Sequence, residues 1–222
     1  MFARVNTSRN RNFVLEIMMI VVGINIALWF EGWFDDLKDI ETEQQYLAGL
    51  RDDLVVDLST LDQVISANSA KLEKLEGIIP GLPDLLDADP DVQADAIFTP
   101  SNYFFFEPSD FTYRSMQESG DFRLLSDAET KKSMLRLVRL YRDIDMLQDN
   151  FIQAMDDGYI PLMMSGFDIA AGQVNDPTFL DDMQFRNFFT FTYQDISNRV
   201  AAYSMARDDV RVLLELIEAQ IK

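Results

Sequence analysis

The residues whose types and spacing could do chemistry in this chain are charged clusters and aromatic runs. Asp87, Asp89, Asp91 and Asp95 fall at positions 1, 3, 5 and 9 of a calcium loop, where alternating carboxylates turn several oxygens onto one cation. The sharp turn of such a loop needs glycine, but Val92 stands there, Phe98 takes the place of the bidentate glutamate, and Pro90 lies inside. The segment therefore reads as a solvated acidic turn. Asp-Asp pairs beginning at Asp35, Asp52, Asp156, Asp181 and Asp208 have the composition of an acid and base couple. Helical neighbours point about 100° apart, however, so the two carboxylates of a pair diverge and read as surface solvation. Lys131, Lys132, Arg136, Arg139 and Arg142 are the concentrated cations. They either meet an anionic partner or, as the surrounding acid predicts, face the chain's own acidic helices. The aromatic run Tyr103 to Phe106, and Phe188, Phe189, Phe191 and Tyr193, either line a pocket or, as their helical spacing favours, fill a core.

What is missing narrows the field further. The 222 residues contain no Cys and no His, which removes disulfides, thiolate sites, the commonest general base and the commonest ligand of zinc or haem iron. No Gly-rich phosphate loop or nucleophile elbow is present. No catalytic residue, cofactor or metal site is expected, and the chain reads as a non-enzyme. Nineteen basic residues against 38 acidic ones leave a net charge of −19. That balance argues against nucleic acid, whose phosphates need clustered Lys and Arg.

The elements that carry these clusters begin with an apolar stretch. From Phe13 to Phe34 only Glu16, Asn25 and Glu31 are strongly polar, and 22 residues at about 1.5 Å each cross a hydrocarbon core of about 30 Å. Trp29, Phe30, Trp33 and Phe34 cluster at its end as interfacial anchors. Arg4, Arg9 and Arg11 precede the span and acid follows it, so the positive-inside bias predicts a cytoplasmic tail over 1–12, a transmembrane helix over 13–34 and an extracytoplasmic domain over 35–222. A cleaved signal peptide is the alternative, but aromatic residues stand where a small-x-small cleavage site would follow. Glu16, Ile20, Gly23 and Ala27 share one helical stripe, and the Gly23–Ala27 pair is small enough for a second helix to approach. An intramembrane Glu16 either meets a partner there or snorkels to the nearby surface.

Beyond Asp35 the pattern is helical. Apolar residues at threes and fours from Leu47 to Ile79, broken by Asn68, predict one amphipathic helix over about 36–79, continuous with the span and stopped by Pro80, Gly81 and Pro83. A loop-rich segment with one or two short helices is expected over 80–109. A short helix over FTYRSMQES follows, capped by Ser109 or Asp110 and ended by Gly120. Ser126 and Glu129 form a capping box for a helix carrying Met134, Val138, Tyr141 and Ile144 and ending near Gly158. After a loop over 158–176, Asp176 and Pro177 open a last long helix with a break near Thr190 to Thr192. The expectation is an all-α chain: one N-terminal transmembrane helix continuing into an antiparallel extracytoplasmic helical bundle.

Two stretches carry a family resemblance. The span from Glu16 to Trp33, reading E-x6-GINIALWFEGW, and YLAGLRDDLVVDL from Tyr46 to Leu58 resemble the start of a family of uncharacterised bacterial single-span membrane proteins with an E...GILIAL...NW span and a YL..L..DL helix. FTYRSMQESGDFRLLSD, Phe111 to Asp127, is similar to that family's second block. The chain has Gly32 and Trp33 where the family usually shows Asn-Trp. The resemblance implies topology and fold, with no catalytic role.

The functional expectation is a non-catalytic accessory subunit that scaffolds a larger bacterial inner-membrane complex, photosynthetic or respiratory. Its partners would be other integral subunits and the lipid bilayer, with a basic soluble cytochrome c as an electrostatic candidate for the acidic outer domain. The competing expectation is an extracytoplasmic ligand-binding or sensor bundle acting through a separate membrane partner.

Overall fold

A computed structural model describes residues 7–221, with side chains from Glu16 to Ile221. The side chains of Arg4, Arg9 and Arg11, and of the first residues of the span, lie outside that range. Helix α1 runs unbroken from Thr7 to Ile78, 72 residues, or about 110 Å at the α-helical rise. The apolar stretch and the amphipathic helix after it are thus one rod. Pro80 enters at the start of a 3₁₀ stretch, Ile79–Asp87, that ends the rod. Helix α2 (Pro90–Phe98), an extended segment over 99–110, and helix α3 (Phe111–Ser119) follow. Gly120 at φ 78° takes the left-handed position that closes α3, where a Cβ would be strained.

Helix α4 (Ala128–Ala154) and helix α6 (Met183–Glu218) complete the long elements. Between them lie a π-helical turn (Met155–Tyr159), helix α5 (Ile160–Gly166) and a hairpin of β1 (Phe167–Asp168) and β2 (Gln173–Val174). The fold is all-α apart from this hairpin.

Several sequence expectations shift here. The cap of α4 is Asp127, whose Oδ2 accepts the Thr130 N–H at 2.7 Å, rather than Ser126. The Ser126 N–H is taken by Glu43 Oε1 at 2.5 Å, so the residue is committed elsewhere. The helix does not stop at Gly158, because a π turn absorbs the glycine and Pro161 sits in the first turn of α5, where no N–H is needed. Asp176 and Pro177 open only a short 3₁₀ turn, Pro177–Asp181. Asp182 is the true cap of α6, its Oδ1 accepting the Gln184 N–H at 2.7 Å. No break occurs near Thr192, which is buried within α6.

Apart from Phe188, the buried positions of the three long helices keep a strict 3–4 alternation. In α1 they are Leu47, Leu50, Leu54, Asp57, Leu61, Val64, Asn68, Lys71 and Leu75. In α6 the same spacing runs from Phe185 through Phe189, Thr192, Ile196, Arg199, Tyr203, Ala206, Val210 and Leu213 to Ile217. Helix α4 matches it at Thr130, Met134, Leu137, Ile144, Gln148 and Phe151, with half-buried Tyr141 filling the remaining place. A repeat averaging 3.5 residues keeps one seam facing the partners and calls for coiled-coil-like packing with a left-handed twist. Two apolar cores result, one around Leu47, Leu54, Met134 and Leu213, the other around Leu75, Phe151, Tyr159 and Phe185.

Glu43 at the foot of the bundle holds Ser126 before α4, while Gln44 reaches Gln220 after α6. Hence α1 and α4 rise together and α6 descends antiparallel to both. Two parallel neighbours need a crossover, and residues 79–127 supply it.

Candidate functional site

The crossover descends along α1, and α1 holds it at nearly every level. Lys71 Nζ donates to the carbonyl oxygens of Pro100, at 3.0 Å, and Asn102. Asn68 Nδ2 donates to Phe104 O at 2.9 Å. Lower down, Asp57 Oδ1 accepts the Ser109 N–H at 2.6 Å and Asp53 Oδ2 accepts the Thr112 N–H at 2.9 Å. Asp110 occupies the cap position of α3 but its side chain caps nothing; Asp53 of α1 receives the orphan Thr112 N–H instead, and Asp57 holds the backbone just before the cap. Tyr46 OH donates to Asp121 Oδ2 at 2.8 Å. Gly49 fits because a Cβ there would stand 2.9 Å from Thr112 Oγ1. The YLAGLRDDLVVDL and FTYRSMQESGDFRLLSD stretches are therefore the two sides of one clamp.

A buried polar layer separates the two apolar cores. Gln148 of α4 accepts the Phe106 N–H at 2.9 Å and the Tyr203 O–H at 2.7 Å on Oε1, and its Nε2 donates to Phe106 O at 3.1 Å. Arg199 is fully buried, with its Nε 2.7 Å from Asp195 Oδ2 and its guanidinium 5.0 and 4.8 Å from the ring centroids of Phe105 and Phe151. Its Nη1 and Nη2 have no hydrogen-bond partner of good geometry. Burial, and then repulsion by Arg199, push the Lys71 ammonium down to about 7, with Asp195 opposing. Burial holds the Asp195 carboxyl above its ordinary range against the pull of Arg199.

Asp57 is the group with the clearest pH signature. Burial pushes its carboxyl up from 3.8 to about 6, opposed by the Ser109 N–H and the Tyr141 O–H, which donates to Oδ2 at 2.6 Å, and reinforced by Asp53 and Asp110. The folded chain thus binds this proton more tightly than the unfolded chain, and the group's contribution to stability falls as pH rises from about 4 to about 6. Asp57→Asn keeps an acceptor for the Ser109 N–H and offers an amide N–H to the Tyr141 hydroxyl oxygen, without the charge. Urea titrations of both proteins across that window should show the variant gaining on the wild type by about 1–3 kcal/mol; parallel profiles would contradict it.

The clusters first considered for chemistry are dispersed. Asp95 pairs with Lys74 at 2.6 Å, and Asp89 and Asp91 begin α2. The Asp-Asp pairs diverge as helical geometry requires: Asp52 pairs with Arg51 while Asp53 turns to Thr112, and Asp208 faces Arg207 and Arg211 while Asp209 takes both guanidinium arms of Arg136. Arg136 of the basic stripe thus meets an acidic helix of its own chain, and Lys132 meets Glu129 at 3.6 Å. The aromatic run splits. Phe106 is fully buried in the lower core, while Tyr103 and Phe104 line a cavity of about 550 Å³ beside Lys71. Phe188 and Phe189 are core residues, and Phe191 is largely exposed.

Sequence reasoning passed over Asp57, Lys71, Gln148 and Arg199, although a signal was present. The strict 3–4 register places each at a core position, and a polar residue in such a seam needs a partner.

From Glu16 to Lys38, α1 packs against nothing among the described residues. Every side chain from Glu16 to Lys38 is exposed, including Ile20, Gly23, Ala27, Trp29, Phe30, Trp33 and Phe34. This stretch is long and apolar enough to cross a membrane by length and composition. Asn25 satisfies itself within the helix by donating to Val21 O at 2.7 Å.

An all-helical bundle with a coiled-coil-like seam, carried on a helix that is bare from Glu16 to Lys38 and largely apolar there, is the class that these features define. The chain belongs to the family of unknown function DUF6090, whose sequence profile matches residues 16–159. That match takes in the apolar stretch, the clamp and α4, while α6 lies beyond it. No curated protein and no solved structure matches the chain.

Proposed function

We propose that this protein is a non-catalytic, membrane-anchored structural subunit of a bacterial inner-membrane complex, with the N-terminus in the cytoplasm and the bundle on the outer face. The observation that carries the reading is the continuity of α1. Its apolar lower part is exposed all round, and the same helix then supplies core residues through Leu75 without a hinge. An exposed apolar surface of this size needs a covering, and lipid together with other membrane helices fits a stretch of this length. A rod without a break would hold the acidic bundle at a fixed height and orientation over its partners.

Co-purification from gently solubilised membranes tests the scaffold role. The full chain should bring down integral membrane proteins in fixed stoichiometry. The stripe through Gly23 and Ala27 leaves open space where a side chain on Gly23 would stand, so Gly23→Ile should weaken recovery of those proteins while leaving the thermal melting of the bundle unchanged. Recovery of the wild-type chain alone would refute the scaffold role.

A further inference from the structure

The cavity beside Lys71 has no part in anchoring. Ala67, Ala70, Lys71 and Lys74 of α1 form one wall, and the head of the crossover, with Tyr103 and Phe104, forms the other. Its volume of about 550 Å³ falls within the range of small-molecule sites, about 300–1,000 Å³, and such sites pair an apolar lining with a few placed polar groups. Both conditions hold here.

The charges are unusual for this chain. Lys71 is 6% exposed and Arg199 fully buried, close enough for Arg199 to repel the ammonium, and the carboxylate that pairs with Arg199, Asp195, is 12% exposed. With Lys71 protonated, the layer thus carries one cation in excess inside a protein of net charge −19. An ammonium has three N–H groups; Lys71 spends two of them on the Pro100 and Asn102 carbonyls, and its Nζ lies 5.8 Å from the Phe151 ring centroid, leaving one N–H without an oxygen acceptor. Lys74, one turn along the same face, is tied only to Asp95, and both are largely exposed, so that pair is weak and exchangeable.

We propose that this cavity binds a small aromatic carboxylate, the carboxylate on Lys71 Nζ with Lys74 at the rim and the ring against Tyr103 and Phe104. The anion would satisfy the remaining N–H of Lys71 and relieve its repulsion with Arg199. The apolar wall would take the ring.

Phenylacetate, titrated into the full chain in detergent micelles and followed by NMR, is the probe. It should give saturable shifts at Ala67, Ala70 and Thr99. Phenylacetamide has the same shape without the charge and should bind about tenfold to a hundredfold more weakly, the worth of a charge-assisted hydrogen bond. Lys71→Met should cause a comparable loss, and hexanoate should bind more weakly than phenylacetate if the ring is recognised. The amide comparison uses the unaltered protein and stays decisive if the variant fails to fold. Equal binding of acid and amide, hexanoate binding as tightly as phenylacetate, or the absence of saturable shifts around the cavity would overturn the proposal.

Discussion

Gln148→Leu should destabilise the bundle by about 3–6 kcal/mol, because three buried groups lose their partner together and each orphan costs about 1–3 kcal/mol. These groups are the Phe106 N–H, the Phe106 carbonyl and the Tyr203 hydroxyl. Leucine is close to glutamine in volume, so the cost reports the hydrogen bonds rather than a cavity. Urea unfolding measures it as a fall in midpoint at unchanged slope. Met146→Leu, two residues away on the exposed face, should change stability by less than about 0.5 kcal/mol. A Gln148→Leu protein as stable as the wild type would mean that the crossover is not held by this layer.

The second large effect lies at Arg199. Arg199→Met keeps most of the packing between Phe105 and Phe151 but leaves Asp195 buried opposite no guanidinium, and breaking a buried pair in this way costs about 3–5 kcal/mol. Removing the stranded charge as well, in Arg199→Met with Asp195→Leu, should restore most of that loss, since an apolar pair of similar volume replaces a desolvated one. The same unfolding experiment gives the coupling between the two positions. Additive losses would show that the salt bridge at 2.7 Å contributes nothing of its own.

How much of this was legible beforehand depends on which signal each element used. The long first helix, its proline stop, the Gly120 cap and the short helix over 111–119 follow from period and from backbone chemistry, both local, and sequence alone indicates them. The clamp depends on contacts between residues 52 to 84 positions apart, such as Asp57 with Ser109 and with Tyr141, and Glu43 with Ser126. Local capping rules therefore pointed to Ser126, whose N–H a distant carboxylate had already taken. The ends of α4 and the start of α6 shifted for a related reason. Burial of Tyr159 and Phe185 in the upper core carries helical backbone past Gly158 and sets where the last helix begins. Arg199 and Lys71 were hidden by their type, since a charged residue on a helix reads as solvent-facing unless the seam is traced in its strict register.

The central claim is that α1 crosses a membrane and holds the bundle on its outer face. Protease added to sealed spheroplasts expressing the full chain tests it most directly. The bundle should be degraded from outside while a fragment containing the N-terminal tail and the span stays protected in the membrane. A bundle that survives intact until the spheroplasts are lysed, or that is recovered free in the soluble fraction, would contradict it.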